Sequence, residues 1–400
     1  MSQGTEHGAP HRPGLAEHTD AARRVLLTPD HPGALPPALR IEAAARAADR
    51  TGQPGLAALY RALAPAATQA AAGPGDPALV TAVQDFTDAV TLDPAGTGPA
   101  ALRTLTAHGL DTPAVVALAQ ICAFVAYEAR VVSGLAVLAG GPAAEPAAVT
   151  GTRDAITGTR DAITGTRDAA ATRDADASPS APRAADFTLD QLTWRPRVPA
   201  VDADALTDAQ RAVLDAHTTL SATSPYYRTL LHDPAALDHR THVYNAVMYG
   251  RGGLPRAERE LATLLVSRAN GCVYCASVHG RKYAQLSRDE AAALRVLHEG
   301  ADALAGDARG EALARFTRAQ TLTPPAATGA DVAALRTAGL DEAELTDLVH
   351  AVALFGWANR LMLVLGDVHP ARKLDAGIPR TDARESCSGT SGRAAQAGDA

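Results

Sequence analysis

Aromatic residues make up only 4% of this 400-residue chain, with two tryptophans and five phenylalanines. Few large rings means that aliphatic side chains must fill the core, and a 46% hydrophobic content rich in alanine supplies them. Alanine has the best helix propensity and lets helices approach closely. Cysteine is scarce too. The four residues Cys122, Cys272, Cys275 and Cys387 are too few for a disulfide-stapled secreted scaffold. The first thirty residues are polar, without an apolar h-region. Both features point to a reducing cytoplasm, where a CxxC pair does redox or metal work. A basic excess is missing as well: the formal charge is −7 and the pI about 6.0, which leaves no electrostatic footprint for nucleic acid.

Clean apolar runs long enough for a membrane are also lacking. Residues 114–140 are interrupted by Gln120, Glu128, Arg130 and Ser133, and residues 345–366 by His350, Asn359 and Arg360. Both stretches read as buried helices, with no membrane span expected. Cys122 lies in the first of them and reads as a small inert hydrophobe. Alternating strand patterns bounded by hairpin signals are absent, so the expected fold class is all-α.

What is present concentrates in residues 254–286. Leu254-Pro255 opens a helix that carries Ala257, Leu261, Leu264 and Leu265 on one face, and Asn270-Gly271 stops it. A second helix starts near Cys272, placing Cys272, Cys275 and His279 at i, i+3 and i+7 on one stripe. The unpaired N–H groups and dipole of a first turn favour thiolate over thiol. Glu258 and Glu260 flank the apolar face of the preceding helix from opposite sides, and periodicity does not choose between them.

This stretch resembles the carboxymuconolactone decarboxylase and alkylhydroperoxidase D-like family, in particular its peroxidase-related branch. Redox members carry Glu, eleven residues, Cys-x-x-Cys, three residues, His; here the same pattern runs Glu260, Cys272, Cys275, His279. One departure is Tyr274, where some members have histidine; on a helical wheel it points away from the cysteine face. The resemblance implies that Cys275 is the peroxidatic residue and Cys272 the resolving one. It implies that His279 is the base or thiolate stabiliser and Glu260 the proton relay or orienting group. It further implies a hydroperoxide substrate, no bound cofactor, and an external dithiol reductant such as a lipoyl protein. Single-domain members associate into dimers and rings, which implies a homo-oligomer here, with one pseudo-dimer per chain able to trimerise. Two other readings remain: a redox-responsive interaction protein without peroxide turnover, and a metal site at the CxxC pair and His279.

The chain also repeats itself. Leu35-Pro36-Pro37 matches Leu254-Pro255-Arg256 at an offset of 219, so that Gly52 falls on Gly271. Ile41 then replaces Glu260, Gln53 replaces Cys272, Leu56 replaces Cys275 and Tyr60 replaces His279. Further on the offset is 230, pairing Phe86 with Phe316, Gly109 with Gly339, Tyr127 with Trp357 and Arg130 with Arg360. The expected organisation is a tail (1–30), a degenerate non-catalytic copy (31–142), a linker (143–185), a catalytic domain (186–379) and a second tail (380–400). The linker holds the heptads TGTRDAI, TGTRDAI and TGTRDAA, too poor in apolar residues to bury a seam. Within the catalytic domain, 187–197 reads as an irregular lead-in packing through Phe187, Leu192 and Trp194.

Overall fold

Two long helices form the centre of the molecule, and the reason lies in what each must bury. The computed structural model describes residues 12–64, 76–143, 186–217, 220 and 222–370. The expected linker (apart from residue 143), the tail at 380–400 and Cys387 lie outside these residues. The first part comprises α1 (Leu15–Leu27), α2 (Pro37–Arg50), α3 (Pro54–Ala62), α4 (Pro77–Leu92), α5 (Pro99–Ala107) and α6 (Thr112–Leu138). After the undescribed stretch come strand β1 (Leu192–Pro196), α7 (Asp208–Ala216), α8 (Pro225–Leu230), α9 (Pro234–Tyr249), α10 (Arg256–Ala269) and α11 (Val273–Ser287). The chain continues through α12 (Glu290–Glu299), α13 (Ala308–Thr321), α14 (Gly329–Thr337), α15 (Glu342–Leu365) and β2 (Gly366–Pro370). The fold is all-α, with one two-stranded ribbon.

Local chemistry explains most of the helix starts. Asp233, Asp111 and Asp341 each accept a backbone N–H at an N-cap, and the first two are followed by proline in the first turn. Asp341 and Glu344 close a reciprocal capping box at the start of α15. Gly52 and Gly271 both take positive φ, 70° and 73°, in the tight turns that lead from α2 to α3 and from α10 to α11.

The internal repeat is visible in these ranges. At an offset of 219 residues α1, α2 and α3 fall on α9, α10 and α11, and at 230 α4, α5 and α6 fall on α13, α14 and α15. Matched residues do matched jobs. Arg40 Nε donates to Leu35 O at 3.1 Å, and Arg259 Nε to Leu254 O at 2.7 Å. Across the central α6–α15 contact the exchange is reciprocal: Arg130 Nη2 donates to Thr321 O at 2.6 Å, and Arg360 Nη2 to Thr91 O at 2.8 Å. Trp357 Nε1 donates to Gln120 Oε1 at 2.9 Å, while Tyr127 Oη lies 3.4 Å from His350 Nδ1. Such swapped pairs are the signature of a two-fold interface, here within one chain. α6 and α15 are each long and apolar enough to cross a membrane, but most of each is buried inside the protein.

Two expectations need correction. Residues 1–30 are not a tail throughout: α1 buries Leu15, Ala22, Leu26 and Leu27 and packs on α9. Ahead of it, Arg12 is buried, its Nε donating to Asp347 Oδ1 at 2.8 Å. Asp347 also accepts from the Leu254 N–H at 2.9 Å, and Arg12 Nη1 donates to Arg251 O at 2.8 Å, so the buried pair is held in a wider polar network. Likewise, residues 192–196 are a strand, antiparallel to 366–370, rather than irregular. Trp194 anchors it through Nε1 to Met362 O at 2.9 Å. Glycine is needed at 366, where a Cβ would come within 2.2 Å of the Trp194 ring.

The α6–α15 contact yields a stability prediction. A Cβ on Gly134 would stand 2.6 Å from Val349 Cγ1, a stiff branched side chain. Replacing a helical glycine by alanine ordinarily gains up to ~1 kcal/mol, whereas overpacking costs about 1–3 kcal/mol. Gly134→Ala should therefore lower the denaturant midpoint. Gly55→Ala, in α3 with nothing within 4 Å, should leave it unchanged or raise it. Equal midpoint shifts for the two would mean that the helices do not meet so closely.

Candidate active site

The site is built on the α10–turn–α11 unit. Gly271 turns the chain, the Cys272 N–H closes the turn on Ser267 O at 2.8 Å, and α11 begins at Val273. Cys272 is thus the N-cap residue and Cys275 lies in the first turn, with His279 one turn further on. Both cysteines are free thiols and both are buried. Asn359 of α15 braces the turn: it donates to Ser267 Oγ at 3.1 Å and accepts from Asn270 Nδ2 at 3.0 Å.

Glu260 is fully buried, and each of its oxygens has a partner. Oε2 lies 2.6 Å from His279 Nδ1, and Oε1 accepts from Arg256 Nε at 2.8 Å. Burial alone would raise this carboxyl, but His279 first and Arg256 after it hold it below its usual value. It is therefore ionised at neutral pH and accepts hydrogen bonds only. That fixes the tautomer: Nδ1 carries the proton toward Glu260, so the lone pair of the neutral ring falls on Nε2. Phe355 packs edge-on against the ring, with centroids 4.5 Å apart. Of the two glutamates that periodicity left open, Glu260 is the one that meets the ring. Glu258 instead accepts from Arg309 Nε at 2.8 Å, and the same guanidinium donates to Glu344.

Cys275 and His279 open together onto a cavity of about 260 Å³. Cys272 is not among its lining residues and is 1% exposed. Burial, reinforced by the neighbouring Cys275, pushes the Cys272 thiol well above its usual range. The first-turn expectation of a thiolate is corrected for this residue: at the N-cap, desolvation outweighs the helix dipole.

The cavity wall also holds residues that sequence reasoning missed. Tyr274 lines it beside Cys275, which corrects the expectation that it points away. Neighbours in a first turn diverge by about 100°, and this cavity, walled by α8, α9 and α15 as well, subtends more than that. Tyr226 and Tyr244 contribute phenol rings, and burial raises the pKa of both. Arg240 is 4% exposed, with its carbon 5.8 Å from the centroids of Tyr226 and Trp357. Both its Nε and the Tyr226 hydroxyl are buried without a hydrogen-bond partner. A buried cation and an orphaned donor next to a thiol are suited to receiving a polar, electron-rich group. Arg256, which lies behind the wall on Glu260, did carry a sequence signal, standing four residues before that glutamate on a helix.

The corresponding place in the first half is filled differently. Tyr60, matched to His279, donates to Glu128 Oε2 at 2.5 Å, and Arg23 Nε donates to Glu128 Oε1 at 3.0 Å. Ile41 and Leu56, matched to Glu260 and Cys275, are buried in the core. This half has no thiol there.

Comparison with known proteins bears on the same segment. Residues 234–319, from the start of α9 into α13, match the Carboxymuconolactone decarboxylase family. The match contains Glu260, Cys272, Cys275 and His279. Among solved structures, the chain is similar to an uncharacterized peroxidase-related protein from Silicibacter sp. TM1040. That likeness has 23% identity over 43% of this chain and 94% of the other, with a TM-score of 0.36. No curated protein matches the chain.

Proposed function

We propose that this chain, a carboxymuconolactone decarboxylase family member through residues 234–319, reduces hydroperoxides at Cys275. The observation that carries this reading is the pairing at the cavity wall: Cys275 and His279 face one space, and Glu260 holds His279 by Nδ1.

In the proposed cycle, His279 Nε2 takes the Cys275 thiol proton. The thiolate attacks the distal oxygen of the hydroperoxide; an S–O bond forms and the O–O bond breaks. The electron pair leaves on the alkoxide, which takes the proton back from His279 and departs as alcohol, or as water from hydrogen peroxide. Arg240 faces the negative charge that moves from sulfur to oxygen. Cys275 is left as a sulfenic acid. The Cys272 sulfur then attacks the Cys275 sulfur, a disulfide forms, and hydroxide leaves with the Cys272 proton as water. A high Cys272 pKa suits this order, because a protonated, buried thiol does not compete for peroxide. An external dithiol reduces the pair and becomes a disulfide itself.

The reductant is tested directly. Hydroperoxide consumption should be sustained by dihydrolipoamide and be slower with reduced thioredoxin. Formation of the 272–275 disulfide without sustained turnover with either would point to a redox-responsive interaction protein. Absence of both turnover and disulfide would overturn the proposal.

A further inference from the structure

On the opposite side of α9 from the cavity residues just described, four histidines gather round one carboxylate. Asp238, His239 and His242 come from α9, His217 from the residue that ends α7, and His18 from α1. His217 Nε2 stands 2.7 Å from Asp238 Oδ1, and His242 Nε2 stands 3.8 Å from the same oxygen. One donor atom from each of His217, Asp238 and His242 lies within 4.8 Å of the other two. The His18 ring stacks on His242 with centroids 3.9 Å apart, and its Nδ1 is 3.2 Å from His239 Nδ1.

We propose that His217, Asp238 and His242 form a binding site for a divalent transition metal of the zinc class, distinct from the thiol site. Bonds of about 2.0–2.1 Å in a tetrahedron put ligand atoms about 3.3 Å apart. The distances of 2.7 and 3.8 Å lie on either side of that value, and the two imidazole donors lie within 4.8 Å of each other, so modest side-chain rotations would seat an ion. Two imidazoles and a carboxylate suit zinc, nickel, cobalt or copper and do not suit magnesium or calcium. An acidic cluster on a surface has a simple alternative, solvation. This set is not an acidic cluster: two imidazoles share its one carboxylate, and two more, His18 and His239, pack beside them. His242 is 43% exposed on its side chain, which leaves an approach for the ion and a fourth position for solvent. His18 and His239 form the outer layer. An ion here would tie the segment after α7 to α9, against which α1 packs.

Isothermal titration of the full chain, freed of metal with a chelator, with zinc chloride is the test. One equivalent is expected to bind per chain. Affinity should fall at least ~10-fold in His242→Ala and in Asp238→Asn, and should be retained in the Cys272→Ser/Cys275→Ser double variant. Cobalt substitution of the unmodified chain provides a readout that does not depend on the folding of variants. The visible spectrum should show nitrogen and oxygen ligation without a thiolate-to-cobalt charge-transfer band. No stoichiometric binding, binding lost only with the cysteines, or a thiolate band would overturn the proposal.

Discussion

Cys275→Ser should abolish hydroperoxide turnover, while Cys272→Ser should leave one turnover and a trappable sulfenic acid. The asymmetry follows from position. Cys275 lines the cavity with His279, whereas Cys272 sits behind it with a thiol that burial keeps protonated. Serine at 275 has no nucleophile of comparable strength near neutral pH, so the loss should reach the detection limit. Serine at 272 removes only the second thiol, and the Cys275 sulfenic acid then waits for an outside partner. A dimedone-type probe followed by mass spectrometry should label Cys275 in the Cys272→Ser protein. In the unmodified protein, mild peroxide should remove two hydrogens across the peptide that contains both cysteines. Labelling of Cys272 in the Cys275→Ser protein would reverse the roles assigned here.

Much of this site could be read from sequence, because one rigid unit carries it. The spacing from Glu260 to His279 crosses a helix, a glycine turn and a helix, and that geometry leaves little freedom for where the carboxylate meets the ring. The repeat could be read for the same reason: Gly52 and Gly271, or Gly109 and Gly339, hold positive φ in matched turns. What escaped depends on contacts made far along the chain. Arg12 finds Asp347 335 residues away, and His18 finds His239 221 residues away. Nothing in the short apolar stripe of α1 announces either. The ribbon escaped because Leu192–Pro196 and Gly366–Pro370 are five residues each and both end in proline. Their pairing depends on Trp194 seated at the end of α15. Arg240 and Tyr226 reach the cavity only through the packing of α9 on α15 and of α8 on β1, which no local pattern encodes.

The first half illustrates how packing outlasts chemistry. Tyr127, Arg130 and Gln120 all serve the central contact, and each has a partner on α15 or α13. Removing one of them would strand a buried donor or acceptor. The place matched to His279 is under no such constraint. There a phenol, a carboxylate and a guanidinium satisfy one another instead. We read the first half as the standing partner that covers α15, supplied within the chain.

Glu260→Gln should slow the attack on hydroperoxide by roughly 10²-fold, and Glu258→Gln should change it little. The amide is isosteric and fits the same space between Arg256 and His279, so gross folding should survive. What changes is the proton. A carboxylate only accepts, and it holds the Nδ1 proton of His279 in place, with Nε2 free as a base. An amide can present its NH₂ to Nδ1, which moves the ring proton to Nε2 and removes that lone pair. The amide also leaves Arg256 without its counter-charge. Glu258, by contrast, ties Arg309 near Glu344 and has no contact with the ring. A structural effect and a positioning effect separate in the pH dependence. The native carboxyl binds its proton more weakly than its usual value of 4.5. Ionised Glu260 therefore favours the folded state above that pH, and the support fades as pH falls through the depressed native value. In Glu260→Gln the acid limb of the stability curve should flatten over that range, and the pH–rate profile should change on its acid side, where Glu260 would otherwise take up its proton. Equal slowing by the two glutamine variants, with unchanged pH profiles, would show that Glu260 only fills space.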